Sequence, residues 1–331
     1  MKLSRKKLTN WLLLLLAAGV FILVGIRTDW AQTWQSVKLA NPLWLALAFC
    51  ATLGAHWLRG ARWSMLTTPA GYTLNTRRSF YAVMTGYLVN VATSRGGEVV
   101  RCAVASRSEK APVELLIGTV VTERLVDLIM MASFAMLCLA VQFQEIYGFF
   151  DTYVFHPLAH AATPTNISIL IMLLFAGILV LFMFRRRKKA RQQTGEGAVQ
   201  GILGRFAEGM KSVFNLRNPW LFIAMSAGIW TLYLLSGWCM LHSLPFTAHF
   251  TLGNALGVMI FSAIGIAIPL PAGAGVWGTV SFGLSTVYGL STAQAETFGI
   301  YNVALSNLIS IFPGAICYLL LYLEMQKQKN G

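Results

Sequence analysis

Charge is what this chain has least of. Charged residues make up 11% of its 331 positions and hydrophobic residues 56%, with a mean hydropathy of +0.62, which excludes an ordinary soluble domain. Long polar stretches are missing too. The longest, Arg185 to Asn218, holds 34 residues, too few for an independently folded catalytic domain. Cysteine is scarce. The five present (Cys50, Cys102, Cys138, Cys239 and Cys317) fall in or beside apolar segments, and no external loop holds a pair, so disulfides are not expected. The sequence has no H-E-x-x-H and no P-loop. His156 and His160 stand i, i+4 apart with Pro157 between them and no obvious third ligand. No catalytic residue, metal site or cofactor is therefore expected.

What is present is apolar sequence of spanning length, at about 11–26, 43–58, 112–141, 167–184, 219–241 and 298–323. The first run follows a basic n-region but precedes no small-x-small cleavage site, so it reads as a retained span. The net charge of +14 is distributed as topology rather than as a nucleic-acid footprint, and no nucleic-acid partner is expected. Nine of the 26 Lys and Arg lie between Arg185 and Arg217, four in the first seven residues and two in the C-terminal tail. Segments 143–165, 242–251 and 290–297 contain none. By the positive-inside rule both termini and the 185–217 loop are cytoplasmic. The Arg185–Lys189 run reads as an anchor on anionic lipid.

Two further regions are too broken to be simple spans. Ser79 to Arg107 has a polar break at 93–98 and basic residues at both ends, so it reads as a re-entrant hairpin whose tip lines protein or water. Thr251 to Gly289 turns at 269–275 with no Lys or Arg on either flank. A hairpin entering from outside and two full spans both fit. The expectation is all-α: six full spans plus two re-entrant hairpins, or 7–8 spans, in one transmembrane domain over 1–331. Residues 1–142 and 166–325 form inverted repeats joined by an external connection at 143–165. Residues 185–217 form a basic cytoplasmic loop with an amphipathic stripe at Val199, Ile202, Leu203, Phe206, Met210, Val213 and Phe214. Trp30, Trp34 and Val37 make a similar stripe before the second span. Inverted repeats with broken helices are a transporter signature.

Charges at membrane depth are the candidates for function. At 1.5 Å per residue Glu123 lies about 16 Å into the 112–141 run, near the centre of a hydrocarbon core about 30 Å thick. Ionisable groups there cost about 2.5–3.5 kcal/mol each on insertion scales and persist when paired, wetted or used. Glu123 and Asp127 share a helix face with Arg124 to one side, and Arg95, Glu98 and Arg101 recur every three residues past the first break. Gly96 and Gly97 permit a tight turn there, as Pro269, Pro271, Gly273 and Gly275 do at the second break. One reading of the six charges is a neutral network locking hairpin to helix. The other is a binding site in which arginines exchange an internal carboxylate for a lipid phosphate. Arg59 and Arg62 read either as a snorkelling belt at the cytoplasmic end of span 2 or as headgroup contacts.

The string Thr93-Ser94-Arg95-Gly96-Gly97-Glu98-Val99-Val100-Arg101, then Glu123-Arg124-Leu125-Val126-Asp127, then Pro269 to Gly275, resembles the transmembrane domain of the lysylphosphatidylglycerol synthetases. That family also takes in stand-alone flippase-like proteins. The resemblance covers nearly the whole chain. It implies a flippase or scramblase in a bacterial inner membrane whose expected partners are lipids with phosphate headgroups, either an aminoacylated phospholipid or a polyprenyl-phosphate carrier, and a lipid-modifying enzyme. A membrane enzyme or non-catalytic partner in such lipid metabolism is the alternative. Two positions depart from the family pattern: Thr93 stands where a proline is frequent, and Gly278 where a glutamate often follows the glycine-rich segment. The soluble aminoacyl-transferase domain of the synthetases has no counterpart in this sequence.

Overall fold

The computed structural model describes residues 30–93, 96–152, 197–268, 270 and 273–330. These contain helices and no strands. In chain order they are α1 (Trp30–Lys38), α2 (Pro42–Thr67), α3 (Thr76–Ala92), α4 (Gly96–Glu109), α5 (Val113–Val141), α6 (Phe143–Phe150), α7 (Gly197–Lys211), α8 (Pro219–Ser243), α9 (Leu252–Ala267), α10 (Ala274–Thr286) and α11 (Thr292–Asn330). The chain divides into two compact units, Met1–Gln142 with Arg205–Gly331, and Phe143–Gly204. Both hairpins and the buried charges belong to the first. The apolar runs at 11–26 and 167–184, and most of 143–165, lie outside the described residues.

Among the described residues, three helices are long and apolar enough to cross a membrane: α5, α8 and the Thr292–Lys327 part of α11. The run at 43–58 is also helical, but its helix continues nine residues past the expected end, to Thr67, and carries Arg59 and Arg62. The apolar run stops at Leu58 because of those charges, whereas the helix does not. The last span is likewise longer than its apolar run, beginning at Thr292 and passing through Pro313.

Two of the helix starts share a sequence pattern that hydropathy does not reveal. Asn41 caps α2 by accepting the Leu43 N–H at 3.0 Å, with Pro42 at the first helical position. Asn218 caps α8 by accepting the Leu221 N–H at 3.1 Å, with Pro219 in the same place. A cap satisfies an orphan N–H, and proline at that position has no N–H to leave unpaired. Asn-Pro pairs at 41–42 and 218–219 thus open both helices, which follow the amphipathic helices α1 and α7.

α3 with α4, and α9 with α10, form two helical hairpins. Their arms of 17, 14, 16 and 13 residues all fall short of the about 20 residues that span a bilayer core. Each hairpin is closed by two glycines facing across it. A Cβ on Gly97 would overlap the Gly86 carbonyl, and a Cβ on Gly275 would overlap the Gly265 carbonyl. At the first tip, Gly97 N donates to Asn90 Oδ1 at 2.9 Å and Gly96 N to Thr93 Oγ1 at 3.2 Å. At the second, Gly273 takes φ +81°, a left-handed conformation that glycine adopts without strain.

The helices pack as follows in the first and second parts of the chain. α2 packs along α8, α3 on α2, and α9 on α8. The first arm of each hairpin packs on the last helix of the other half, α3 on α11 and α9 on α5. The second arm packs on the last helix of its own half, α4 on α5 and α10 on α11. From Arg205 onward, α7 lies against α5 through a close approach of Gly209 to Gly118, and Thr122 Oγ1 donates to the Met210 carbonyl at 3.0 Å.

Candidate functional site

Three helices bring charge to one place. α2 supplies Arg59 and Arg62, one turn apart and therefore on one face. α4 supplies Glu98 and Arg101 at the same spacing, and α5 supplies Glu123, Arg124 and Asp127. Glu123 is fully buried and takes an arginine on each oxygen, Arg62 Nη2 at 3.0 Å on Oε1 and Arg101 Nη2 at 2.7 Å on Oε2. Asp127 also receives two, Arg62 Nη2 at 2.7 Å on Oδ1 and Arg59 Nη1 at 2.9 Å on Oδ2. Arg124 reaches Glu98 at 2.6 Å and Asp127 at 3.5 Å. All seven side chains are thereby linked by ion pairs.

The cluster is graded from inside to outside. The side chains of Arg62 and Glu123 are 0% exposed, while Arg124 is 43% and Glu98 35% exposed. Withdrawing charges from water costs several kcal/mol per ion, so such a group survives where its partners and hydrogen bonds are nearly complete. The supports are visible. Arg62 Nη1 donates to Ser226 Oγ at 3.0 Å, a contribution from α8. The Arg101 guanidinium lies 4.9 Å over the Trp63 ring, and Trp63 Nε1 donates to Thr119 Oγ1 at 3.0 Å, which fixes the indole. Satisfaction stops short of completeness: the buried Nε groups of Arg59, Arg62 and Arg101 have no hydrogen-bond partner among the described residues.

Between the hairpin arms and α5 lies a small open recess lined by Tyr87, Asn90, Gly97, Glu98, Arg101 and Arg124. It gives an approach to the outer arginines and not to Arg62. One turn before Arg59 on α2, His56 packs at a tilt against Tyr87, a wall residue of that recess, with centroids 4.4 Å apart, and has Nδ1 3.4 Å from the Tyr233 hydroxyl.

The structure brings Glu98, Arg101, Glu123, Arg124 and Asp127 into one network and puts Gly96 and Gly97 at its edge. Arg95, Pro269 and Pro271 lie outside the described residues, as do His156 and His160. Gly273 and Gly275 shape the second hairpin tip as described above. Arg59 and Arg62 are a correction. They do not snorkel at a rim but are buried, at 4% and 0% exposure, and hold the two acids of α5. Their stems are not laid along the surface because a carboxylate is available within reach in the interior. Thr119 and Ser226 carry no sequence signal that would mark them as parts of a site. The signal available was spacing, since Arg59 and Arg62 at i, i+3 match the face offered by Glu123 and Asp127 at i, i+4.

The model of the family described as the lysylphosphatidylglycerol synthase TM region matches residues 10–314. The chain is similar to a UPF0104 membrane protein of Methanocaldococcus jannaschii, 22% identical over 336 aligned positions that cover 98% of each protein. No solved structure matches it.

Proposed function

The chain belongs to the family of the lysylphosphatidylglycerol synthase TM region, and from that premise we propose that this integral membrane protein is a lipid flippase or scramblase for a phosphate-bearing lipid. The observation that carries the reading is the graded arginine row: Arg62 wholly buried, Arg101 at the wall of the recess, and Arg124 half-exposed beside Glu98. A guanidinium fork matches a phosphate as well as a carboxylate. An incoming headgroup takes Arg124 from Glu98 and is received by Arg101, which Trp63 and Glu123 hold in place, while the tails stay in the bilayer. Glu98 takes Arg124 back when the headgroup leaves.

The inverted-repeat form of the account is supported by the paired Asn-Pro helix starts, the matched glycine crossings and the corresponding packing partners. Arms shorter than a span support reading both hairpins as re-entrant. Rocking of one half against the other then alternates access to the site. Both termini on the cytoplasmic face of a bacterial inner membrane, no reaction of its own, and a separate lipid-modifying enzyme as partner complete the proposal.

A second reading has one observation in its favour: every carboxylate of the cluster is already paired, as in a brace. On that reading the chain is a non-catalytic membrane partner. Reconstitution of the purified chain in liposomes with labelled phosphatidylglycerol separates the two. Leaflet exchange without any added enzyme supports transport, and exchange no faster than in protein-free liposomes supports the brace.

A further inference from the structure

The charge balance of the cluster bears on which headgroup it accepts. Four guanidinium groups, Arg59, Arg62, Arg101 and Arg124, face three carboxylates, Glu98, Glu123 and Asp127. Each carboxylate has an arginine within 3.0 Å: Glu98 has Arg124 at 2.6 Å, Glu123 has Arg101 at 2.7 Å, and Asp127 has Arg62 at 2.7 Å. Donors are in surplus as well as charge, because the buried Nε groups of Arg59, Arg62 and Arg101 have no acceptor among the described residues. The other half of the chain does not compensate. From Pro219 to Leu323 the sequence has a single acidic residue, Glu296, in the second turn of α11. Position 278 is a glycine with open space where a side chain would stand.

A negative headgroup entering the recess at Arg101 and Arg124 brings an acceptor to the outer end of the cluster and offsets a surplus positive charge. An ammonium group meets the reverse: no spare carboxylate, and net repulsion from the arginines. Accepting it means taking Glu98 from Arg124 and adding a further positive charge beside guanidinium groups already in surplus. Specificity is a difference of affinities, and a repulsive element contributes to it as much as an attractive one.

We propose that the cargo is a phosphate-bearing lipid with no cationic substituent on its headgroup, such as an unmodified anionic phospholipid or a polyprenyl phosphate, and that aminoacylated and amine-bearing lipids are rejected. The inference rests on the flippase reading and narrows its substrate, against the expectation that the family's name raises.

The full chain is reconstituted in liposomes carrying fluorescent phosphatidylglycerol, lysylphosphatidylglycerol or phosphatidylethanolamine, and leaflet exchange is followed for each. Phosphatidylglycerol is expected to exchange at least about tenfold faster than the lysylated lipid, the equivalent of about 1.4 kcal/mol of discrimination. Arg124→Gln, which leaves three guanidiniums to three carboxylates, is expected to shrink that ratio several-fold. Lysylphosphatidylglycerol exchanging as fast as phosphatidylglycerol, or a ratio untouched by Arg124→Gln, overturns the proposal. If no lipid exchanges, the flippase reading fails on its own, and the headgroup preference is read from binding of the same three lipids to the detergent-solubilised chain. Preferential retention of phosphatidylglycerol then upholds the charge rule, and equal or stronger retention of the lysylated lipid contradicts it.

Discussion

Arg62 and Glu123, 61 residues apart in the sequence, meet at 3.0 Å with both side chains wholly removed from solvent. The pair joins the second helix to the fifth, and Arg101 on the other Glu123 oxygen joins the fourth. One carboxylate therefore fixes the first hairpin, through its second arm, to the two helices beside it.

Replacing Glu123 by Gln keeps the shape and removes that charge. Arg101 loses its carboxylate and Arg62 keeps only Asp127, and breaking a buried pair from one side costs about 3–5 kcal/mol. The melting temperature of the variant in detergent should fall markedly below that of wild type. An unchanged melting curve contradicts the bracing role.

Glycine at the hairpin crossing is a steric requirement that Gly278 does not share. Gly97→Ala sets a methyl group against the Gly86 carbonyl, a backbone atom that cannot swing away, whereas Gly278→Ala meets open space. Gly97→Ala should therefore lower folded yield and melting temperature, and Gly278→Ala should leave both within error of wild type. Equal behaviour of the two variants in a size-exclusion and thermal-shift comparison counts against the packed crossing.

Much of the plan was legible in the sequence, because its signals are local. The break at 93–98 is visible as polar residues and glycines inside an apolar stretch, and Glu123 and Asp127 stand out because nothing else in their helix is charged apart from Arg124 and the first-turn Glu114. Arg59 and Arg62 were not legible as interior groups. A hydropathy window ends where charge begins, and their neutralising partners lie more than sixty residues away. Ser226 was hidden for a related reason: a hydroxyl in an apolar helix carries no mark of what it touches. The paired Asn-Pro starts were legible but lie outside any search for apolar periodicity.

The mirrored topology has a direct chemical test. Thr251 and Ser291 flank the second hairpin, and both are exposed. Cys50 is the exposed native cysteine, the other four being buried. In a Cys50→Ser background, Thr251→Cys and Ser291→Cys should both react with a membrane-impermeant maleimide added from outside. Labelling of either position only after the membrane is opened contradicts an externally entered hairpin.

The exchange of Arg124 between Glu98 and a lipid phosphate is the centre of the account. Both side chains of that pair are partly exposed, so its loss should change stability by less than about 1 kcal/mol, and Glu98→Gln should purify like wild type. Leaflet exchange of labelled phosphatidylglycerol is then compared in liposomes holding wild type, Glu98→Gln or no protein. The account predicts exchange by wild type well above the protein-free rate, and in Glu98→Gln a loss of about tenfold, since the empty site can no longer take Arg124 back. Wild-type exchange from a normally folded Glu98→Gln protein would contradict it.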